Sequence, residues 1–259
     1  MRRAGFTLME LLVIVGIVLV LLAILFPVLA AARRRSQATQ TRAQLGRLRG
    51  AVEEYRTLFD TYPGPVSEAD LCASTTYTGA QNLLAGLTRK VRPVATPAYV
   101  QASADTWVER DYTTGPERFG RPMTTPLLVP APGETAPAST ILPALSELGV
   151  FVDRFPTGLP ILYYKGNAGA KTVVANSPAD GVAAFYLASN AGFTNQTLLH
   201  AADGGVFPQN LTQAGLLQVV TNADGSAMGG FVLISAGADR TFGPDRLGKV
   251  DDIVEAGGH

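Results

Sequence analysis

Residues 11–32 read LLVIVGIVLVLLAILFPVLAAA and contain no charged side chain. As an α-helix this stretch would be about 33 Å long, enough to cross a hydrocarbon core of about 30 Å. A helix buried in a soluble core rarely stays apolar on every face over such a length. The stretch therefore predicts a membrane-spanning helix. A cleaved secretory signal is the alternative, because the segment LAAAR at residues 29–33 also looks cleavable.

The composition of the whole chain limits the classes of function. Of the 259 residues, 47% are apolar and 16% are charged, which excludes a disordered or collagen-like protein. The chain is formally neutral, but residues 1–50 hold eight arginines and one glutamate, so the remainder carries a charge of −7. A single cysteine excludes an intramolecular disulfide framework, and two histidines leave little for histidine-based catalysis. We expect no enzyme activity and, from the acidic body, no nucleic-acid partner.

The residues that lead into the apolar stretch resemble a known processing signal. Residues 5–33 read GFTLMELLVIVGIVLVLLAILFPVLAAAR, which resembles the N-terminal signal of type IV pilins and type II secretion pseudopilins. The resemblance implies that residues 1–5 are a leader peptide, cut between Gly5 and Phe6, and that Phe6 is then N-methylated. Glu10 becomes the fifth residue of the mature chain, and Pro27 falls at the twenty-second, a frequent proline position in this family.

Glu10 is also notable on physical grounds, because a carboxylate at the edge of an apolar helix costs a few kcal/mol and tends to mark a function. Cleavage would create an ammonium group on Phe6. In a filament of packed helices, Glu10 of one subunit would then pair with Phe6 of its neighbour. The alternative is that Glu10 lies among lipid headgroups or pairs with its own N-terminus. Pro27 removes one helical hydrogen bond, which predicts a kink or a melted turn.

The resemblance implies an assembly function with several partners. These are further copies of the chain in a filament, membrane lipid, a prepilin peptidase, an assembly ATPase and a polytopic platform protein. It places the chain in the inner membrane as a single-pass protein with its C-terminal body outside the cytoplasm, and later in a periplasmic or cell-surface filament. Charge counting alone does not favour this orientation, since Arg2 and Arg3 precede the span and residues 33–35 follow it. The alternative is a signal-anchored enzyme or receptor outside the cytoplasm.

Beyond the arginines, apolar residues recur at the spacing of an amphipathic helix, at Leu45, Leu48, Val52, Tyr55 and Phe59. We expect one helix from about Thr7 to Phe59, with a filament-core or membrane half at 6–32 and an amphipathic half at 33–61. Two helices broken near residues 33–36 are the alternative. The segment Tyr62-Pro-Gly-Pro65 is expected to end the helix.

Residues 62–150 are predicted to be variable and rich in loops, with a short helix near 82–88. Six prolines between 121 and 143 indicate an extended surface loop. The C-terminal region, residues 151–259, is predicted to contain strands at 161–165, 171–175, 182–187, 217–220 and 230–235. Their close spacing favours an antiparallel sheet. The expected fold class is α+β, a long N-terminal helix packed on a small antiparallel sheet, as in pilins.

The end of the chain carries a glycine-rich segment with four aspartates, namely Asp239, Asp245, Asp251 and Asp252. Calcium requires several oxygen ligands, which a bent loop of this kind can supply, although the spacing is not that of an EF-hand. The segment resembles the calcium-binding C-terminal loop of the major type II secretion pseudopilin, and for this reason a pseudopilus subunit is preferred over a type IV pilus subunit. Three basic residues interrupt the acidic cluster, so a solvated loop held by Arg–Asp pairs is the alternative.

Overall fold

The structure is a computed structural model in which residues 8–74, 77–88, 117–118, 121–141, 145, 148–156, 158–167, 170–194, 211–244 and 250–258 are described. Gly5, Phe6 and Asp245 lie outside these residues. The helices are α1 Leu8–Phe59, α2 Glu68–Ala73, α3 Gly79–Thr88, α4 Ala138–Ile141, α5 Ala191–Thr194 and α6 Gln213–Val220. The strands are β1 Glu117–Arg118, β2 Arg121–Pro122, β3 Thr135–Pro137, β4 Gly149–Phe151, β5 Leu162–Lys165, β6 Thr172–Ala175, β7 Ala183–Tyr186, β8 Phe231–Ser235 and β9 Ile253–Gly257.

Helix α1 confirms the prediction of one long helix. It runs without interruption through the arginines at 33–35 and through Pro27, so the two-helix alternative and the melted turn at Pro27 are both wrong. Asp60 follows the helix with a φ of 55°, a left-handed conformation that stops helical propagation, and the proline-containing turn begins after it.

The two halves of α1 have different surroundings. In the C-terminal half, Leu45, Leu48, Val52 and Tyr55 are buried, as the apolar spacing predicts. They pack against leucines of α3 and against one face of the central sheet. In the N-terminal half, the large apolar side chains from Leu8 to Leu29 are exposed. The helix is thus half a core element and half a projecting apolar rod.

The central sheet has the antiparallel order β5-β8-β9. Side chains alternate between its faces, as the two-residue period of a strand requires. Tyr163, Phe231 and Leu233 face α1 and α3. Leu162 and Ile234 face a second cluster built from the C-terminal elements, including Phe185 and Leu216. Strand β8 is therefore buried on both faces, which explains its unbroken apolar sequence FVLIS.

The predicted strand at 217–220 is wrong, because these residues belong to helix α6. Thr212 caps the helix by accepting a hydrogen bond from Gly215 N at 3.0 Å. The buried residues Leu216, Val219 and Val220 follow helical spacing, whereas Leu217 between them is largely exposed. A short apolar run is compatible with either a strand or a helix. Here the N-cap at Thr212 and burial on one side favour the helix.

Not every strand pair is antiparallel. Strands β6 and β7 pair in parallel, with Thr172 opposite Ala183 and Val174 opposite Phe185. The connection between them folds through a short 3₁₀ turn, Pro178–Asp180, and through Gly181, whose φ is 128°. This connection is shorter than the usual parallel crossover of a dozen or more residues, so spacing alone led to the wrong orientation for this pair.

The prediction of an extended surface loop at 121–143 is wrong for its second half. Strand β3 pairs antiparallel with β4, and Ala138 is buried at the start of α4. Pro137 lies opposite Gly149 at the end of this two-stranded ladder, where a missing N–H is tolerated. The segment is therefore packed against the body instead of decorating it.

The predicted short helix and four of the predicted strands are confirmed. The short helix near 82–88 is α3, which is buried along its whole length. The strands predicted near 161–165, 171–175, 182–187 and 230–235 are β5, β6, β7 and β8. A long apolar N-terminal helix with small, mostly antiparallel sheets is an α+β fold. Strand β9, which pairs with β8 and packs on α1, was not predicted.

Candidate functional site

The exposed half of α1 is the first candidate site. Among the described residues, the stretch within Leu11–Phe59 is the one helix long and apolar enough to cross a membrane. Its large apolar side chains, from Leu8 to Leu29, are between about one third and four fifths exposed. Burying each such side chain is worth roughly 1.5–3 kcal/mol. The exposure rules out a buried core helix, and it favours lipid or other helices around this surface.

The predicted processing residues belong to this half of the molecule. Glu10 lies in the first turns of α1, but its side chain is not among those described, and Gly5 and Phe6 precede the described residues. Pro27 lies inside α1, between the exposed side chains of Phe26 and Val28. The structure thus places Glu10 and Pro27 on the projecting apolar helix, about 17 residues or 26 Å apart along its axis.

The aspartate-rich segment between β8 and β9 is the second candidate site. After β8 the chain turns back at Gly237, whose φ is 69° and where a Cβ atom would lie 2.4 Å from Asp251 O. Asp251 Oδ2 accepts hydrogen bonds from the N–H groups of Ala238 and Asp239, each at 3.1 Å. Asp252 Oδ2 accepts one from Gly243 N at 2.8 Å. Two adjacent carboxylates therefore fold the loop onto the start of β9.

The surroundings of this loop destabilise the ionised form of its own carboxyl groups. Burial, together with the negative charges of Asp239 and Asp251, raises the pKa of Asp252 to about 8, although the hydrogen bond from Gly243 lowers it. Asp251 Oδ1 and Asp252 Oδ1 are buried and accept no hydrogen bond from the described residues. Buried oxygens without donors cost free energy, and a cation or a proton would offset that cost.

A calcium ion matches these donors chemically, because all of them are oxygens and calcium prefers six to eight oxygen ligands. Within the described part of the chain, however, no three or more His, Cys, Asp or Glu side chains are grouped so as to hold a metal. The structure brings Asp239, Asp251 and Asp252 to one loop, and the fourth predicted ligand, Asp245, lies in the segment 245–249 that is not described. The calcium site therefore stays a prediction.

A buried carboxylate behind this loop was not predicted from sequence. Asp153 is only 3% exposed. Its Oδ2 accepts a hydrogen bond from Ser235 Oγ at 2.9 Å, at the end of β8. Its Oδ1 accepts from Phe155 N at 3.3 Å and Leu159 N at 3.1 Å. Burial raises the pKa of Asp153 to about 6, despite these hydrogen bonds, which lower it. Asp153 therefore joins β8 to the turn after β4.

Replacing Asp153 with asparagine should change how stability depends on pH. Because the folded pKa of about 6 lies above the ordinary value of 3.8, the folded chain binds the proton more tightly than the unfolded chain. The resulting stabilisation is fully present below pH 3.8 and is lost as the pH rises through about 6. It amounts to about 3 kcal/mol. Unfolding free energies of the full chain from pH 4 to 7 should therefore fall less with pH in Asp153→Asn than in the native chain.

Asp224 provides the control for this experiment. It is exposed, and hydrogen bonds from Ser226 lower its pKa. The contribution of Asp224 to stability is present above the ordinary pKa of its carboxyl group and is lost as the pH falls. Its effect on the pH dependence of stability is therefore opposite in sign to that of Asp153. An Asp153→Asn profile parallel to that of the native chain would contradict a raised pKa at this position.

Known proteins provide no relative from which a function for either site could be transferred. The chain matches no protein-family model, no curated protein and no solved structure.

Proposed function

We propose that this chain is a structural subunit of a pilin-type filament. It is stored in the inner membrane by the N-terminal half of α1, trimmed between Gly5 and Phe6, methylated on Phe6, and assembled through the same helix. The observation that carries the proposal is the continuity of α1, whose exposed apolar half joins a half packed under the body. Such a helix can leave lipid and pack against equivalent helices while the body stays folded.

The exposed surface of the helix fits both storage in lipid and assembly into a filament. In lipid, the apolar surface from Leu8 to Leu29 is surrounded by acyl chains, and around a filament axis the helices of other subunits would replace those chains. The partners of this cycle are a prepilin peptidase, an assembly ATPase and a polytopic platform protein. The aspartate-rich loop favours a type II secretion pseudopilus, with a type IV pilus as the second choice. The body would lie outside the cytoplasm.

Mass spectrometry of the mature N-terminus, on protein from the native host, tests the proposal. A chain that begins with N-methylphenylalanine at Phe6 supports it. An intact Met1 would instead indicate a signal-anchored enzyme or receptor, and a cut near Ala32 would indicate a secreted protein. Either of these results overturns the filament proposal, because an untrimmed chain has no ammonium group on Phe6 and a cut near Ala32 removes the apolar helix.

Calcium binding at the aspartate loop is a second candidate function, favoured by the two buried oxygens on Asp251 and Asp252 that have no donor among the described residues. Asp239, Asp251 and Asp252 would hold the ion with Asp245 and backbone carbonyls. The ion would supply positive charge to a loop whose carboxylates repel each other. It would thereby stabilise the packing of β9 on β8.

Calcium should raise the thermal unfolding midpoint of the full chain in detergent by about 5–10 °C when its concentration is about 100 times the dissociation constant. Asp252→Asn should abolish most of this shift, because it removes one charged ligand. Asp224→Asn, in an exposed turn away from the loop, should retain it. Calorimetry that shows no heat of binding, together with an unchanged midpoint, would rule out the site.

A further inference from the structure

Three consecutive arginines surround α1 directly after its apolar stretch. Arg33, Arg34 and Arg35 are all exposed and all helical. Successive residues of an α-helix are rotated by about 100°, so the three side chains cover roughly 200° of the helix circumference. We call this set the arginine collar. The positive charges therefore lie around the helix at one end of its apolar segment, and not in a line along its length.

Neither the helix around the collar nor the rest of the described residues supplies a nearby anion for it. Between residues 11 and 52 the sequence contains no Asp or Glu, so none of the positions three or four residues away can form a helical ion pair. In the described part of the chain, no carboxylate lies within ion-pair distance of Arg33, Arg34 or Arg35.

The arginines further along α1 differ in this respect. Arg47 pairs with Glu134, and Arg49 pairs with Glu53 at 3.1 Å and with Glu255 at 3.5 Å. These side chains attach the helix to the body. The collar makes no such attachment to the described residues, although it contains half of the arginines that α1 carries up to Arg49.

We propose that the arginine collar binds the headgroups of anionic phospholipids in the leaflet next to the body. The inference rests on the membrane-stored state of the proposed function. A span of about 33 Å from residue 11 places residues 33–35 at the level of the phosphates. The guanidinium group forms two parallel hydrogen bonds to a phosphate, and the long side chain reaches the interface while its methylenes stay near lipid. All phospholipids carry a phosphate at this depth, but in anionic phospholipids no cationic group of the headgroup balances its charge, so the collar should favour them.

The collar should make the chain selective among the lipids around it. Attraction of a basic residue to an anionic membrane surface corresponds to roughly a fivefold preference per arginine. Because the three side chains point in different directions, each can select a separate lipid. The subunit would therefore carry a shell enriched in anionic lipid.

Spin-labelled lipids measure this selectivity on the full chain reconstituted in phosphatidylcholine bilayers. Spin-labelled phosphatidylglycerol should be motionally restricted next to the protein with a several-fold higher association constant than spin-labelled phosphatidylcholine. The triple variant Arg33→Gln, Arg34→Gln, Arg35→Gln should reduce the ratio to about one. Arg42→Gln is the matched control: Arg42 is exposed on the same helix but lies two turns, or about 10 Å, further toward the body.

Each other outcome overturns the proposal. Equal association constants in the native chain show that the collar does not select anionic lipid. Loss of the preference on adding inorganic phosphate assigns the site to free phosphate. If the lipids bind equally and the triple variant reduces cross-linking between copies in one bilayer, the collar pairs with a second copy. If the chain shows no lipid preference but is trimmed normally at Gly5, the filament proposal still stands. A chain that does not insert into bilayers contradicts both the lipid proposal and the filament proposal.

Discussion

Cells that produce a Glu10→Ala chain together with the native chain should incorporate the variant into filaments far less than the native chain. The variant is expected to stay in the membrane, because it lacks the carboxylate that we propose to pair with the Phe6 ammonium of a neighbouring subunit. A charge pair in an apolar surrounding is weakly screened, so its loss should reduce incorporation by at least tenfold, which corresponds to about 1.4 kcal/mol. Immunodetection of sheared filaments and of membranes measures the distribution of both chains.

Two controls make this result specific to the carboxylate. Met9→Ala changes the neighbouring exposed side chain without changing charge, and it should be incorporated normally. Mass spectrometry must show that the Glu10→Ala chain is trimmed at Gly5, so that a processing defect is not mistaken for an assembly defect. Normal incorporation of a trimmed Glu10→Ala chain would refute the pairing.

Glu134→Gln should destabilise the body more than any exposed charge substitution in the chain. The Glu134 side chain is only 3% exposed, and Oε1 contacts Arg47 Nη2 and lies 3.0 Å from Arg154 Nη2. Oε2 accepts a hydrogen bond from Ala131 N at 2.8 Å. Glutamine keeps the shape but leaves two guanidinium groups without their anion. Because the Arg47 side chain is 48% exposed and can be rehydrated, we expect a loss of about 2–3 kcal/mol.

A loss of this size should lower the thermal unfolding midpoint of the full chain by about 5–10 °C. The matched control is Glu53→Gln, which breaks the pair with Arg49 on the helix surface, where both side chains are more than 40% exposed. Exposed pairs contribute about 0.2–1 kcal/mol, so this variant should change the midpoint little. Hydrogen exchange should accelerate at β3 in Glu134→Gln only. Equal effects of the two variants on the unfolding midpoint and on hydrogen exchange at β3 would show that the ion pairs of Glu134 do not hold this strand to the body.

The parts of the fold that were predictable from sequence depend on local periodicity. The stripe containing Leu45, Leu48 and Val52 predicts the buried face of α1, and the apolar runs predict β5 and β8. Local patterns failed where a short apolar run is compatible with both a strand and a helix, as in α6. The capping residue Thr212 precedes that run and was the sequence signal for a helix.

The residues that sequence reasoning missed depend on contacts between distant positions. Glu134 and Arg47 are 87 residues apart, and Asp153 and Ser235 are 82 apart. Nothing near Glu134 distinguishes it from a surface acid in a proline-rich loop. The aspartate loop is intermediate: its composition predicted a cluster, but only the fold shows that Asp251 binds the backbone at residues 238–239.

The position of β9 has a consequence for how the protein is made. This strand covers the free side of β8 and contacts α1, and Glu255 pairs with Arg49, 206 residues earlier. The sheet therefore cannot close until β9 has been synthesised, 206 residues after Arg49 of the helix that it contacts. Until then the apolar edge of β8 is open to pairing with other chains, and such long-range closure is slow. Newly synthesised copies would pair least through this open edge when they are synthesised far apart from one another.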